Sequence, residues 1–430
     1  MFYFDFPIQT QSLLNQYWFL INYFLLFLLF FLAYISYKKT SVACGLIILL
    51  FPTYLFRTKI FGIPTTFLEL AFLIIFFVWI IKSYKLSAIS YQLNLKYPIA
   101  LLLLASTISI FTSPNTLPAL GLWKAYFVEP ILFFFLLSKT ILTPKDKEFI
   151  FWCLAISTLP IAILAIIQKF TGFGIAEPMW VDMAQRRVTS IFTSPNAVGL
   201  YLGPITVICF GWLIEKFKVQ SSKFKVFGIS IIVLLNIFAI IFTKSQGTWV
   251  GVAAGIIFLC YFLIHKKLTI ISIAVIAMAL CIIPQTQKIL LPYITFSDQA
   301  GQNRIALWKG SVNYLISSPK NFFFGAGIFG FSEVQEKFRD PKKIEPLIYP
   351  HNIFLNFWME TGLLGLLAMC WILFHFFKTG YASYKLSAIS YQLIIMSAMV
   401  TILIHGLIDV PYFKNDLSIL FWTIIALGYL

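Results

Sequence analysis

VFGISIIVLLNIFAIIFT occupies residues 226–243, and after Lys244 and Ser245 comes QGTWVGVAAGIIFLCYFLI at 246–264. Each run is apolar over a length that, wound as a helix, crosses a hydrocarbon layer of about 30 Å. The same pattern recurs outward from this pair. Earlier runs fall near 18–36, 41–56, 66–82, 97–112, 121–139, 148–170 and 192–215, and later ones near 268–285, 352–377, 391–408 and 417–430. Those at 41–56, 97–112 and 417–430 are short enough to be tilted or re-entrant. Of the 430 residues, 60% are apolar and 11% charged, whereas a soluble domain is about half apolar and about a quarter charged. The sequence therefore predicts an all-α, polytopic transmembrane helical bundle of about 12–13 spans. It divides into transmembrane helices over 1–285, a large external loop over 286–350 with short amphipathic helices, and C-terminal transmembrane helices over 351–430.

In such a chain the net charge of +16 records topology and nearness to anionic lipid, and it calls for no nucleic-acid partner. With 286–350 outside, the internal connections carry Lys38-Lys39, Lys82/Lys85/Lys96, Lys139/Lys145/Lys147, Lys216/Lys218/Lys223/Lys225, Lys266-Lys267 and Lys378/Lys385. The reverse orientation would place all six outside, against the positive-inside rule. The start, MFYFDFPIQTQSLLNQ, has Asp5 and no Lys or Arg. Together with a long aromatic run, this reads as a retained anchor in place of a cleaved signal. All six cysteines fall in apolar spans without metal-ligand spacing, as small buried hydrophobes do.

Arginine is distributed differently from lysine. Its five positions, Arg57, Arg186, Arg187, Arg304 and Arg339, all fall outside in this topology. A planar, permanently charged fork is the group that holds phosphate or carboxylate at two points. Arg57 and Arg339 stand in ordinary polar company. Arg186 and Arg187 precede Ser194-Pro195-Asn196, a helix-start signature that would turn free N–H groups toward them. Anchoring to lipid headgroups is the competing explanation. Arg304 lies in NRIALWKGSVNYLI, where Ile305, Trp308, Val312 and Leu315 recur at helical spacing, so a surface helix with a snorkelling arginine is the plain alternative. Gly325, Gly327 and Gly330 then permit tight turns or close backbone approach.

Among the four histidines, His351 stands apart. It follows Pro350, precedes Asn352 and marks where the loop re-enters the membrane, so its imidazole could take a proton near neutral pH. Asn352 is also a candidate helix cap. Glu69, Lys124, Glu129 and Glu360 lie in or beside apolar spans, either as cavity-lining groups or as ion pairs between helices, and Glu129-Pro130 would interrupt helical hydrogen bonding. SYKLSAISYQL occurs at 83–93 and again at 383–393, and KFKVQSSKFKV contains a smaller repeat. Neither receives a function from the sequence.

Five segments in order, RRVTSIFTSPNAVGLYLG, TKSQGTWVGVAAGII, NRIALWKGSVNYLISSPKNFFFGAGIFGF, PHNIFLNFWMETGLLGLL and HGLIDVPYFKND, resemble the O-antigen ligase / O-antigen polymerase superfamily of bacterial membrane glycosyltransferases. They span about residues 186 to 416. The resemblance implies a multi-pass enzyme of the bacterial inner (cytoplasmic) membrane, active on the outer side, in lipopolysaccharide or other surface-polysaccharide biosynthesis. Its donor would be a glycan on a polyprenyl (undecaprenyl) diphosphate, and its acceptor a glycan, lipid or protein hydroxyl. It further implies His351 as base and Arg186 or Arg187, with Arg304, as holders of the donor diphosphate. The family often has Ser-Arg where this chain reads Ser245-Gln246-Gly247, so no arginine role is carried over there.

The chemistry is coherent beside the resemblance. A diphosphate leaving group develops negative charge that guanidiniums stabilise, and the acceptor hydroxyl needs a base. The loop acids Asp298, Glu333, Glu336, Asp340 and Glu345 form no tight acidic pair, so metal-independent transfer without a cofactor is expected. Lys124, Glu129, Asn352 and Glu360 are expected as cavity or supporting groups. A transporter or flippase for a lipid-linked or small anionic solute, with the buried charges lining its path, is the alternative.

Overall fold

Apolar runs that cannot leave their peptide groups unpaired in lipid become helices. In a computed structural model, the described residues are 3–4, 18–60, 62–83, 95–218, 220, 222–282, 292–293, 295–339, 347–387 and 391–429. They form an all-α bundle with one small sheet. Strand β1 (Tyr3–Phe4) leads to helices α1 (Trp18–Lys38) and α2 (Thr40–Leu49), then strands β2 (Phe56–Ile60) and β3 (Ile63–Thr66). Helices α3 (Phe67–Ser83), α4 (Lys96–Thr112) and α5 (Thr116–Trp123) follow. A π-turn at Lys124–Val128 separates α5 from α6 (Glu129–Thr140). Next come α7 (Pro144–Ser157), α8 (Leu159–Thr171), α9 (Pro195–Lys218), α10 (Lys223–Thr243), α11 (Gln246–Leu263) and α12 (Lys266–Ile282). The polar segment contributes α13 (Gln299–Ile316), α14 (Pro319–Phe324) and α15 (Phe331–Val334). The chain closes with α16 (Ile353–Ser387), α17 (Tyr391–Gly406) and α18 (Asn415–Tyr429).

The thirteen expected spans resolve differently along the chain. Seven helices among the described residues are long and apolar enough to cross a membrane, and four apolar helices of 10–17 residues accompany them. The stretch at 41–56 yields only the ten-residue α2 before a 3-10 turn bends the chain into β2. Pro52 sits in that turn, where the helical N–H it lacks is not needed. The small sheet pairs β1, β2 and β3 antiparallel and places Arg57 opposite both Tyr3 and Thr66. The end of the 268–285 span, the first SYKLSAISYQL copy beyond residue 83, Asp5, Asp340 and Glu345 lie outside the described residues.

Two ends of the bundle are chemically distinct. At one end Lys39 pairs with Asp146 at 3.5 Å, and Glu148 takes Lys216 at 3.3 Å and Lys225 at 2.8 Å. At the other end Arg187 donates to Thr243 O at the close of α10, and Arg304 donates to Ile408 O just after α17. Helix α9 connects the two with 24 residues, a rise of about 36 Å. Around the circumference, Phe19, Phe27, Phe30 and Phe224 remain exposed, as side chains facing lipid do.

Close helix packing fixes the arginine end. On α11, Gly247, Gly251 and Gly255 recur every fourth residue against α17. A Cβ on Gly251 would lie 2.9 Å from Thr401 O, and one on Gly247 would lie 2.7 Å from His405 Cδ2. Small residues at this spacing let helix backbones approach within lipid, where burial of apolar surface gives no preference for helix over tail. Gly251→Val should therefore destabilise the fold by roughly 1–3 kcal/mol. A lower melting temperature and less monodisperse protein from size exclusion would register it, and an unchanged melting temperature would contradict this packing.

Candidate functional site

The loop after α17 and the turn before α16 meet at the arginine end. His351 has φ +52°, a left-handed backbone seldom taken by a residue with a side chain. Its neighbours hold that geometry. Trp308 Nε1 donates to Pro350 O at 2.9 Å, and Asn352 Nδ2 donates to Leu407 O at 3.0 Å. Asn352 Oδ1 also accepts the Leu355 amide, so it caps α16 while tying the turn to α17. Trp308 lies one helical turn beyond Arg304, which links the surface helix α13 to the histidine turn.

Asp409 organises the centre. Its Oδ1 lies 3.3 Å from His351 Nδ1 and accepts the Val410 amide at 2.8 Å, and its Oδ2 accepts Asn196 Nδ2 at 2.9 Å. Burial pushes this carboxyl up, but His351, His405 and the Val410 amide together outweigh it and hold the group well below the usual carboxylate range. A carboxylate facing Nδ1 favours the tautomer with its proton there, which leaves Nε2 as an open acceptor. The His351 side chain retains 21% of its surface, so a hydroxyl can reach it.

From Asn196 the network continues to the cations. Asn196 Oδ1 accepts Arg187 Nη2 at 3.2 Å, and Arg187 Nε donates to Thr243 O at 2.9 Å. Burial, and next the charge of Arg304, lower the pKa of Arg187 from its ordinary value, as expected for two like charges facing one space. Arg304 Nε donates to Ile408 O at 3.2 Å. These carbonyl and amide partners orient both guanidiniums without neutralising them.

Arg187, Arg304, Lys244, Asn196, His405 and Asp409 are among the walls of a polar cavity of ≈ 220 Å³. An apolar groove of ≈ 730 Å³ shares Lys244, Gln246, Tyr293, Asp298, Arg304 and Ile408 with it and continues along Trp249, Val250, Ala253 and Phe296. Val250 is 58% exposed, so the groove opens on the lipid-facing side of α11. His351 is not a wall residue of the cavity, which it reaches through Asp409.

Other expected residues go elsewhere. Arg186 turns away from its neighbour, with Nε on Val181 O at 2.9 Å and Nη1 on Lys169 O at 3.1 Å. Arg339 pairs with Glu336 three residues earlier. Lys124 contacts Glu69 at 2.5 Å and Glu129 at 3.9 Å, within the π-turn that precedes Glu129-Pro130. Asn415 binds Glu69 as well, so this group ties α3, the π-turn and α18 together. Glu360 accepts the Phe329 amide at 2.6 Å and thereby docks the glycine turn onto α16. Gly362, at φ +69°, breaks that helix where Phe323 and Phe324 pass, and a Cβ there would lie 2.8 Å from Phe324 Cα.

Sequence reasoning passed over Asp409 and Lys244, and gave Asn196 only a part in a helix start. Asp409 stands in HGLIDVPYFKND and Asn196 in SPNAVGLYLG, both already quoted for the resemblance, so a search for polar residues within those segments would have found them. Asp409→Asn keeps the size of the side chain but weakens its hold on Nδ1. Any reaction that uses His351 as its base should fall roughly 10–100-fold, by analogy with loss of the partner that orients a metal-bound imidazole. Unchanged turnover in this variant would separate Asp409 from the reaction.

Residues 231–370 match the family model described as O-antigen ligase. The match covers about a third of the chain. The matched segment contains Lys244, Arg304, His351 and Glu360, whereas Arg187, Asn196, His405 and Asp409 come from the flanking helices and loops. A curated Haemophilus influenzae protein, described as uncharacterized, is 24% identical to the chain over 264 residues, 55% of this chain. The chain spans 61% of the length of that relative. The seven long apolar helices among the described residues, together with the match at 231–370, make this a multi-pass membrane protein that resembles O-antigen ligases over that segment.

Proposed function

We propose that the protein transfers a glycan from a polyprenyl diphosphate to an acceptor hydroxyl, in a bacterial inner membrane with the arginine end outward. The observation that carries this reading is the junction of a cationic cavity with an apolar groove along α11. A lipid diphosphate has the same two-part character. Its phosphates fit Arg187, Arg304 and Lys244, and its hydrocarbon fits the Trp249–Phe296 side of the groove. The acceptor oxygen would form a bond to the anomeric carbon as the bond to the diphosphate oxygen breaks. The hydroxyl proton passes to His351 Nε2, and the negative charge left on the diphosphate is stabilised by the guanidiniums. Guanidinium charge stands where a divalent cation would otherwise act, so a chelator should leave the rate unchanged.

The acceptor is a glycan, lipid or protein hydroxyl, covering ligation, polymerisation and protein glycosylation alike. Lys124 is committed to Glu69 and Glu360 to the Phe329 amide, and neither arrangement favours the transporter alternative. The test uses the purified full chain in lipid, with a glycan on polyprenyl diphosphate and an acceptor. Transfer should occur with the diphosphate donor and be inhibited by glycan-free polyprenyl diphosphate far better than by inorganic diphosphate. Equal inhibition by the two would remove the groove from the reading, and loss of transfer with chelator would overturn its metal independence.

A further inference from the structure

The lysine end holds a second cavity, remote from the one just described and independent of the reading given to it. KFKV occurs at 216–219, where α9 ends, and again at 223–226, where α10 begins. The turn between them includes Gln220 at φ +48°. The Lys-Phe-Lys stretch that ends α9 and the one that opens α10 flank an open pocket of ≈ 320 Å³ lined by Lys216, Phe217, Gln220, Lys223, Phe227 and Ser230, among others. We infer that this cavity binds the phosphate headgroup of an anionic phospholipid, in the leaflet at the lysine end.

Charge and exposure both support this occupant. Four lysines, Lys216, Lys218, Lys223 and Lys225, flank the turn, and Glu148 holds two of them, Lys216 and Lys225. Lys218 donates to Leu263 O. Lys223 takes part in no hydrogen bond or ion pair among the described residues, so its ammonium is free to meet a phosphate. It also opens α10, where Ser222 accepts only the Lys225 amide and the other first-turn N–H groups add to the positive field. The flanks are apolar, with Phe217 61% and Phe227 64% exposed. A free phosphate would gain nothing from such flanks, whereas acyl chains would lie against them. Ser230 carries the lining two turns deeper along α10, in the direction a lipid tail takes from its headgroup.

The test is lipid retention by the purified full chain, read by native mass spectrometry after exchange into phosphatidylglycerol or phosphatidylethanolamine. Phosphatidylglycerol should be retained selectively. Lys223→Gln should weaken its binding about fivefold, and Lys216→Gln/Lys223→Gln about thirtyfold, taking about 1 kcal/mol per lysine near an anionic surface. Lys267→Gln, a loss of one exposed charge elsewhere at the same end, should change nothing. Because Lys223 has no hydrogen-bond or ion-pair partner among the described residues, its variant keeps the test clear of misfolding even if the double variant fails to fold. Equal retention of the two lipids, no change in Lys223→Gln, or displacement of phosphatidylglycerol by excess inorganic phosphate would each overturn the proposal.

Discussion

His351→Ala is expected to lower glycan transfer about 10²–10⁴-fold while the protein still inserts and binds donor. The range is that of a general base removed from a reaction whose charge stabilisation remains in place. Alanine also removes the Asp409 contact that helps hold the left-handed backbone at φ +52°, a separate loss that lowers the yield of folded protein. His351→Asn separates the two effects. Asparagine tolerates the left-handed region and can still hydrogen-bond Asp409, but it offers no basic nitrogen. Both variants should therefore lose transfer per folded molecule to a similar extent, with asparagine the more stable of the two. Transfer retained by either would remove His351 from the chemistry. The measurement is single-turnover release of polyprenyl diphosphate, normalised to folded protein.

Arg304→Ala should cost about 10²–10³-fold in turnover, the usual size for loss of one donor aimed at developing charge. Arg304 Nε is already occupied by Ile408 O, which leaves the Nη edge for phosphate. Lysine cannot hold the carbonyl and a phosphate in the same fixed fork, so Arg304→Lys should recover only a small part of the loss. The effect should appear in turnover more than in donor affinity, because the charge being stabilised grows as the bond breaks. A variant that weakens donor affinity with turnover intact would show Arg304 to be a binding group alone. Removing Arg304 also relieves the repulsion on Arg187 across the cavity. The double variant Arg187→Ala/Arg304→Ala should accordingly lose less than the two single losses multiplied together.

Hydropathy made the bundle legible, because a span in lipid needs little beyond length and apolarity to declare itself. His351 and Arg304 were legible from position, as polar residues at the boundary between a loop and an apolar run. Asp409 was not, since a single carboxylate 58 residues from its imidazole leaves no periodic trace. Arg186 and Arg187 could not be told apart by sequence. Neighbours in a non-helical segment point to opposite sides, and only the fold decides which side is the cavity. The four-residue spacing of Gly247, Gly251 and Gly255 was present in TKSQGTWVGVAAGII but was obscured by reading that run for hydropathy alone. The small sheet escaped for a related reason. Phe56–Ile60 and Ile63–Thr66 are too short to show alternation, and β2 carries charge at Arg57 and Lys59.

The groove beside Trp249 and Val250 opens sideways, on the exposed face of α11. On the proposed function, a carrier lipid reaching it travels in two dimensions, within one leaflet, and need never leave the bilayer. Encounter is then governed by the mole fraction of carrier among surrounding lipids. In vesicles, diluting the whole suspension with buffer should leave the rate per protein unchanged, while diluting the carrier with inert phospholipid at constant total donor should slow it in proportion.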